Sequence, residues 1–232
     1  MKNALLIFLL TIITATSKGQ FYFGPQAGIG VATLKGTEIE MTNQFAYHGG
    51  LMFNIPITHH ISVMAGGLYS SKGFKYDYVT QTRTTQANGS GGTDTLLVET
   101  GVKADATLGY LDIPIMLTYY LGDQGGFFIQ AGPQFSYLLT STATVTASST
   151  YSVISGTSTA PAPSETEASL EFNKSDLSLI GGIGYKLPSF LLVYARATTG
   201  FMKVIDGDYV ADENAGENFT IEVGVGLTLG GK

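Results

Sequence analysis

The 232 residues contain no cysteine and no tryptophan, and histidine occurs three times. Without cysteine there is no disulfide framework, no thiolate metal site and no thiol nucleophile. The fold must be held by its core and its backbone hydrogen bonds. Charge is also scarce, at 13% of residues, where a water-soluble domain sits near a quarter. The charge present is acidic on balance, 18 acidic against 12 basic residues for a net of −6. Such a chain has no electrostatic reason to seek nucleic acid, and no nucleic-acid partner is expected. Past the first residues, no stretch is apolar for the roughly 18 residues that a membrane-spanning helix needs. Low charge without such a helix points to lipid contact spread over many short strands.

The N-terminal residues read as an export signal. Lys2 supplies a positive start, residues 4–13 form an apolar run, and Ser17 and Gly19 are small residues placed for a cut before Gln20. The expected organisation is a signal peptide over 1–19 and one β-barrel domain over 20–232. No cysteine stands at the cut, so a lipoprotein is excluded. Loss of Lys2 and Lys18 would leave the mature chain more acidic still.

Glycine (30), tyrosine (13) and phenylalanine (13) are plentiful, and apolar residues recur every second position, the period of a strand. In the last such segment Phe219, Ile221, Val223, Val225, Leu227 and Leu229 share one face. Thr220, Glu222, Gly224, Gly226 and Thr228 share the other. The same pattern sets Leu111, Ile113, Ile115, Leu117 and Tyr119 against Asp112, Thr118 and Tyr120. Eight strands are predicted, over 21–32, 45–54, 61–70, 105–121, 127–140, 176–187, 190–201 and 218–229. The joints alternate in length. Those at 56–60, 122–126 and 188–189 are tight, while 33–44, 71–104, 141–175 and 202–217 are long. Transmembrane barrels sort their connections this way, with short periplasmic turns and long outer loops. The long segments are polar, and 140–159 is rich in Ser and Thr. A solvated loop without fixed shape is the expectation for it, with strands that project beyond the bilayer before the loop turns as the alternative, and loops 71–104 and 141–175 are the expected contact points for an envelope or surface partner. Aromatics fall at both strand ends, Phe21, Phe23, Phe53, Tyr119, Phe127 and Phe190 at one and Phe45, Tyr69, Tyr110, Tyr137, Phe201 and Phe219 at the other, as two membrane interfaces favour.

The face opposite the apolar one carries Gln26, His48, Asn54, Asp112, Gln130, Arg196 and Glu222 with many glycines. A soluble ligand-binding barrel would reverse this arrangement, so a filled polar lumen facing away from lipid is expected. Setting Phe190 opposite Thr228 brings Arg196 opposite Glu222, which predicts an inward ion pair on neighbouring strands. Gln26, His48, Asp112 and Gln130 are the other expected lumen groups. His59 and His60 lie in a turn, and no Ser–His–acid set can be read. Asp206, Asp208, Asp212 and Glu213 read as a solvated acidic loop more readily than as a calcium site. No enzyme activity, cofactor or metal is expected.

The stretch Tyr110-Leu-Asp-Ile-Pro-Ile-Met-Leu-Thr-Tyr-Tyr120, followed by Phe127-Phe-Ile-Gln-Ala-Gly-Pro-Gln-Phe-Ser-Tyr137 and the later Asp176–Tyr185 segment, resembles the PorT-like outer-membrane β-barrels of Bacteroidota. The resemblance covers most of the chain from residue 20 onward. It implies an eight-stranded up-and-down barrel embedded in outer-membrane lipid. One departure is the end, Leu227-Thr-Leu-Gly-Gly-Lys232, which lacks the terminal aromatic common in such barrels. The functional expectation is a structural or surface-interaction barrel acting through its outer loops. The alternatives are an accessory subunit of a protein-export machine, a narrow pore, and a soluble exported ligand-binding barrel.

Overall fold

The computed structural model describes residues 21–36, 41–87, 92–122, 125–155, 161–168, 170–188, 190–206 and 216–230. The expected signal peptide at 1–19 and most of the acidic loop, including Asp208, Asp212 and Glu213, lie outside these residues. The described chain is all strand: β1 (Tyr22–Lys35), β2 (Gln44–Pro56), β3 (Ile61–Ala87), β4 (Thr93–Tyr120), β5 (Gly126–Ser155), β6 (Ser164–Ala168), β7 (Glu171–Phe172), β8 (Ser175–Lys186), β9 (Leu191–Lys203), β10 (Ile205–Asp206), β11 (Glu217–Leu227) and β12 (Leu229–Gly230).

Antiparallel pairing runs β1-β2-β3-β4-β5-β8-β9-β11, and β11 pairs back onto β1 with Gly28 opposite Gly224. Closure leaves the ring without a free edge, which a sheet in hydrocarbon requires. The short joints follow from local chemistry. Gly126 takes φ +81° at the tight turn into β5, a conformation glycine adopts without strain. Ile57 and Thr58 donate their N–H groups to the Ile61 carbonyl to close the turn between β2 and β3. The β3–β4 ladder lapses at Gly66–Gly67, opposite Pro114, which has no N–H to give.

Alternation decides which side of the wall each residue takes. Along β4, Leu111, Ile113, Ile115, Leu117 and Tyr119 are exposed while Asp112, Met116, Thr118 and Tyr120 are buried in the barrel interior. Ile29, Val31, Leu51, Ile129, Leu179, Ile183, Val223 and Val225 are also large apolar residues left open on the outer wall. A wall of this kind is stable against lipid and would aggregate in water. The soluble-barrel alternative is overturned on that ground. Both aromatic rings form as expected with one correction: Tyr110 is 1% exposed. It has the same parity as Asp112, so the alternation that turns Asp112 inward turns Tyr110 inward too.

The larger correction concerns the long loops. Strand β3 continues to Ala87, β4 begins at Thr93, and β5 runs to Ser155. Most of 71–104 and much of 141–175 is therefore ladder. Ala87 still pairs with Thr93, Thr95 with Ser155, and β6 adds a further strand along Val145–Ser149. Ser/Thr-rich composition favours a solvated loop. The same residues are β-branched or small and alternate, and a neighbouring strand is enough to hold them extended.

Candidate functional site

The lumen is filled in layers. All six expected lumen residues point inward, with Gln26, His48, Asp112, Gln130 and Arg196 buried and the Glu222 side chain 15% exposed. Arg196 and Glu222 are Cα partners, as the register argument required. Their ion pair does not form. The Glu222 carboxylate pairs instead with His48 Nδ1, contributed by a strand on the other side of β1. The Arg196 guanidinium reaches further, donating to Gln26 Oε1 at 3.0 Å and lying 3.8 Å over the Tyr194 ring. Each of the two opposed side chains thus reaches past its neighbouring strand to a partner on the next strand but one. On its other side the His48 Nε2 atom is hydrogen-bonded to the Tyr194 hydroxyl at 2.7 Å, and that hydroxyl donates to the Ala27 carbonyl at 3.4 Å. The imidazole and phenol occupy space that Gly28 and Gly224 leave open. A Cβ at Gly28 would clash with His48 Cε1, and one at Gly224 would meet the Tyr194 hydroxyl at 2.5 Å.

A second buried ion pair lies nearer the outer mouth. Lys72 Nζ sits 3.0 Å from Asp112 Oδ2 and 3.1 Å from Oδ1, and Ser70 donates to Oδ2 at 2.7 Å. Sequence reasoning misses Lys72 because it falls in a predicted loop, although its position two residues past Ser70 keeps the inward parity. Asp176 accepts from Ser178 and Asn218, each at 3.2 Å.

The lumen is less polar than expected. Met52, Met64, Leu68, Met116 and Ile180 form one apolar cluster, and Tyr120, Phe128, Leu192 and Tyr194 another. A third includes Leu34, Phe74, Ala106, Leu108 and Tyr110 and is closed over by Val204, Ile205, Leu170 and Phe172. Strands β7 and β10 pair with each other beside this cluster. Along the sequence, long inward apolar residues look like breaks in the alternation; in a barrel this narrow they are its filling.

Above the barrel stands an outer sheet in the order β3-β4-β5-β6. Its two faces differ. On one lie Lys75, Asp77, Arg83, Glu99, Lys103 and Asp105, joined by Glu165 and Glu167, which pair with Ser148 and Thr146. Lys75 and Asp105 are 2.8 Å apart, Lys103 and Asp77 3.3 Å, and Gln81 donates to Glu99 at 2.8 Å. The other face carries Tyr76, Tyr78, Thr80, Thr82 and Thr84, with Val98, Val102, Val145, Ala147, Tyr151 and Val153 beside them. Its one charged residue among those described is Asp94, buried at the tip. The rings of Tyr76 and Tyr78 stack at 6.2 Å with planes 9° apart.

Among the described residues, one edge of this sheet is open. Strand β2 follows β3 only as far as Ser71, and Thr42 then bridges to Lys75. From Tyr76 onward β3 has no described neighbour except β4.

Residues 15–206 match the family model described as an outer membrane protein beta-barrel domain. No curated protein matches the chain in sequence. Among solved structures, Ail of Yersinia pestis is similar at 10% identity, covering 91% of this chain and 99% of that one, with a TM-score of 0.37. Ail in complex with the heparin analogue sucrose octasulfate gives 9% identity, the same coverage and a TM-score of 0.36. The translocator domain of the autotransporter NalP from Neisseria meningitidis gives 10% identity, 97% and 95% coverage and a TM-score of 0.25. A closed ring of eight antiparallel strands with an apolar outer wall, matched over most of its length by that family model, identifies the chain as a member of the outer-membrane β-barrel domain family, resident in the outer membrane.

Proposed function

We propose that this barrel is a surface-interaction protein whose working part is the outer sheet, with the barrel as its anchor in outer-membrane lipid. The observation that carries this is the β3 edge beyond Lys75, which no described strand other than β4 pairs, on a sheet that runs on past the barrel ring. Unpaired main-chain N–H and C=O groups on an edge are a ready template for an added strand. The partner of the expected loops 71–104 and 141–175 is thus assigned to a ladder edge. Strands 110–120 and 127–137 also favour placing the chain among the PorT-like barrels of Bacteroidota.

The filled interior argues against the narrow pore, because Met52, Met64, Met116, Leu68 and Ile180 occupy its middle. The buried His48–Glu222–Tyr194 cluster reads as structural rather than catalytic, since it lies behind the wall with its groups satisfied by one another. No observation favours a role as accessory subunit of an export machine.

The test replaces residues 77–103 with a two-residue Asn-Gly turn. The variant is expected to keep the faster-migrating unboiled band of a closed barrel and to lose the attachment of expressing cells to each other and to coated surfaces. Unchanged attachment with the barrel intact would sink the proposal.

A further inference from the structure

We infer that the partner of the open β3 edge is the same edge of a second copy of this chain, presented by a facing membrane. The inference rests on the surface-interaction reading above and names its partner. Three observations converge on it.

The first is which main-chain groups are open. Lys75 donates to Thr42 and accepts from it, so its N–H and C=O point away from β4. Side alternates along a strand, so Asp77, Val79, Gln81 and Arg83 present theirs in the same direction. An antiparallel neighbour must pair odd residues with odd residues to use them.

The second is charge. Asp77 and Arg83 lie on the same face and are equally spaced about Thr80. A two-fold pairing centred on Thr80 sets Asp77 opposite Arg83 of the second copy, and Arg83 opposite its Asp77. Val79 then faces Gln81, and both are residues with open main-chain groups, so each such pair exchanges both backbone bonds. On the other face Tyr78 falls opposite Thr82 and Tyr76 opposite Thr84, aromatic against β-branched, a favourable cross-strand pairing. Among the described residues Arg83 makes no ion pair, and Asp77, with its side chain 59% exposed, pairs with Lys103 alone. The ladder ends at Tyr76, where the Thr42 bridge to Lys75 closes the edge.

The third is direction. Strand β3 leaves the short-turn side of the barrel at Ile61 and runs outward to Ala87. Two copies in one membrane hold their β3 strands parallel, and a two-fold axis along the strands would set a charged face beside an uncharged one. Copies in facing membranes are antiparallel, and their charged faces run on into each other. One such ladder is short, but many copies between two membranes act together.

The experiment uses lipid vesicles carrying the full-length protein, with the outer sheet shown by protease digestion to face outward and the barrel shown by gel shift to be folded. Turbidity reports clustering. Wild-type vesicles are expected to cluster, less at high salt. Asp77→Arg sets Arg against Arg and Arg83→Asp sets Asp against Asp, so each alone loses clustering. Mixing the two kinds of vesicle restores both ion pairs and recovers it. Val79→Pro removes an N–H that points away from β4, so the sheet stands and clustering is lost in every mixture. Self-pairing is overturned if wild-type vesicles stay dispersed, if either charge variant clusters alone, or if the mixture does no better than its parts. A photo-crosslinker at Val79 in cells separates the two levels: trapping of other proteins with dispersed vesicles removes self-pairing alone, and no trapping of any kind removes the surface-interaction reading as well.

Discussion

Strands β3, β4 and β5 each pass through two environments, and their side-chain pattern reverses between them. In the barrel, the outward positions of β4 are Leu111, Ile113, Ile115, Leu117 and Tyr119, and the inward set includes Asp112 and Thr118. In the outer sheet, the outward positions are Asp105, Lys103 and Glu99, and the continuing inward positions are Ala104, Val102 and Val98. The strand period is the same throughout. What changes is the solvent on the outer side, lipid below and water above. The reversal falls near Gly109, where the β4–β5 ladder shifts register. Polarity along a strand therefore reports the medium it meets, and alternation alone reports only that it is a strand.

This comparison can be broken or sharpened by substitution, and the largest effect is expected in the lumen. Lys72→Met leaves the Asp112 carboxylate buried beside Ser70 without its cation. Loss of one partner of a buried pair costs about 3–5 kcal/mol, to be read as a lower urea midpoint for the folded barrel in lipid. An unchanged midpoint would mean that water reaches Asp112.

On the outer wall Val223→Arg places a charge in mid-bilayer, expected to cost about 2–4 kcal/mol. Thr146→Arg introduces the same cation on the charged face of the outer sheet and is expected to alter barrel stability by less than about 0.5 kcal/mol. Equal effects at the two sites would show that the boundary near Gly109 is misplaced. The effect of Gly224→Ala is smaller than those of the lumen and wall changes. Its Cβ would meet the Tyr194 ring and hydroxyl at 2.5 Å. Overpacking of this kind costs about 1–3 kcal/mol, and Tyr194→Leu in the same chain should relieve part of it. No relief would place the strain in the backbone of β1 rather than in the phenol.

Much of the barrel is legible in the amino-acid sequence. Period-2 runs locate eight strands, loop lengths orient them, and the polar inner set names Gln26, His48, Asp112, Gln130, Arg196 and Glu222 as interior. Even the Arg196–Glu222 register follows from two flanking strands. The outer sheet is legible only as an alternative to a loop, because Thr and Ser in a run such as 142–152 satisfy the composition of a loop and the pattern of a strand equally. A signal is present in Val79, Val98, Val102, Val145 and Val153, too many β-branched apolar residues for a free loop.

Pairing choices across the lumen lie further out of reach. Whether Glu222 takes Arg196 or His48 depends on distances across a closed ring, and no spacing along the chain contains them. Sequence by itself determined the strand period, the apolar wall and the sidedness of each stave, because these are set residue by residue by the medium each face must meet. Tertiary structure alone decided the lumen partners, how far β3, β4 and β5 continue above the membrane and which strands flank β3 among the described residues. Each of those depends on which strand lies alongside, and that is fixed only when the ring closes.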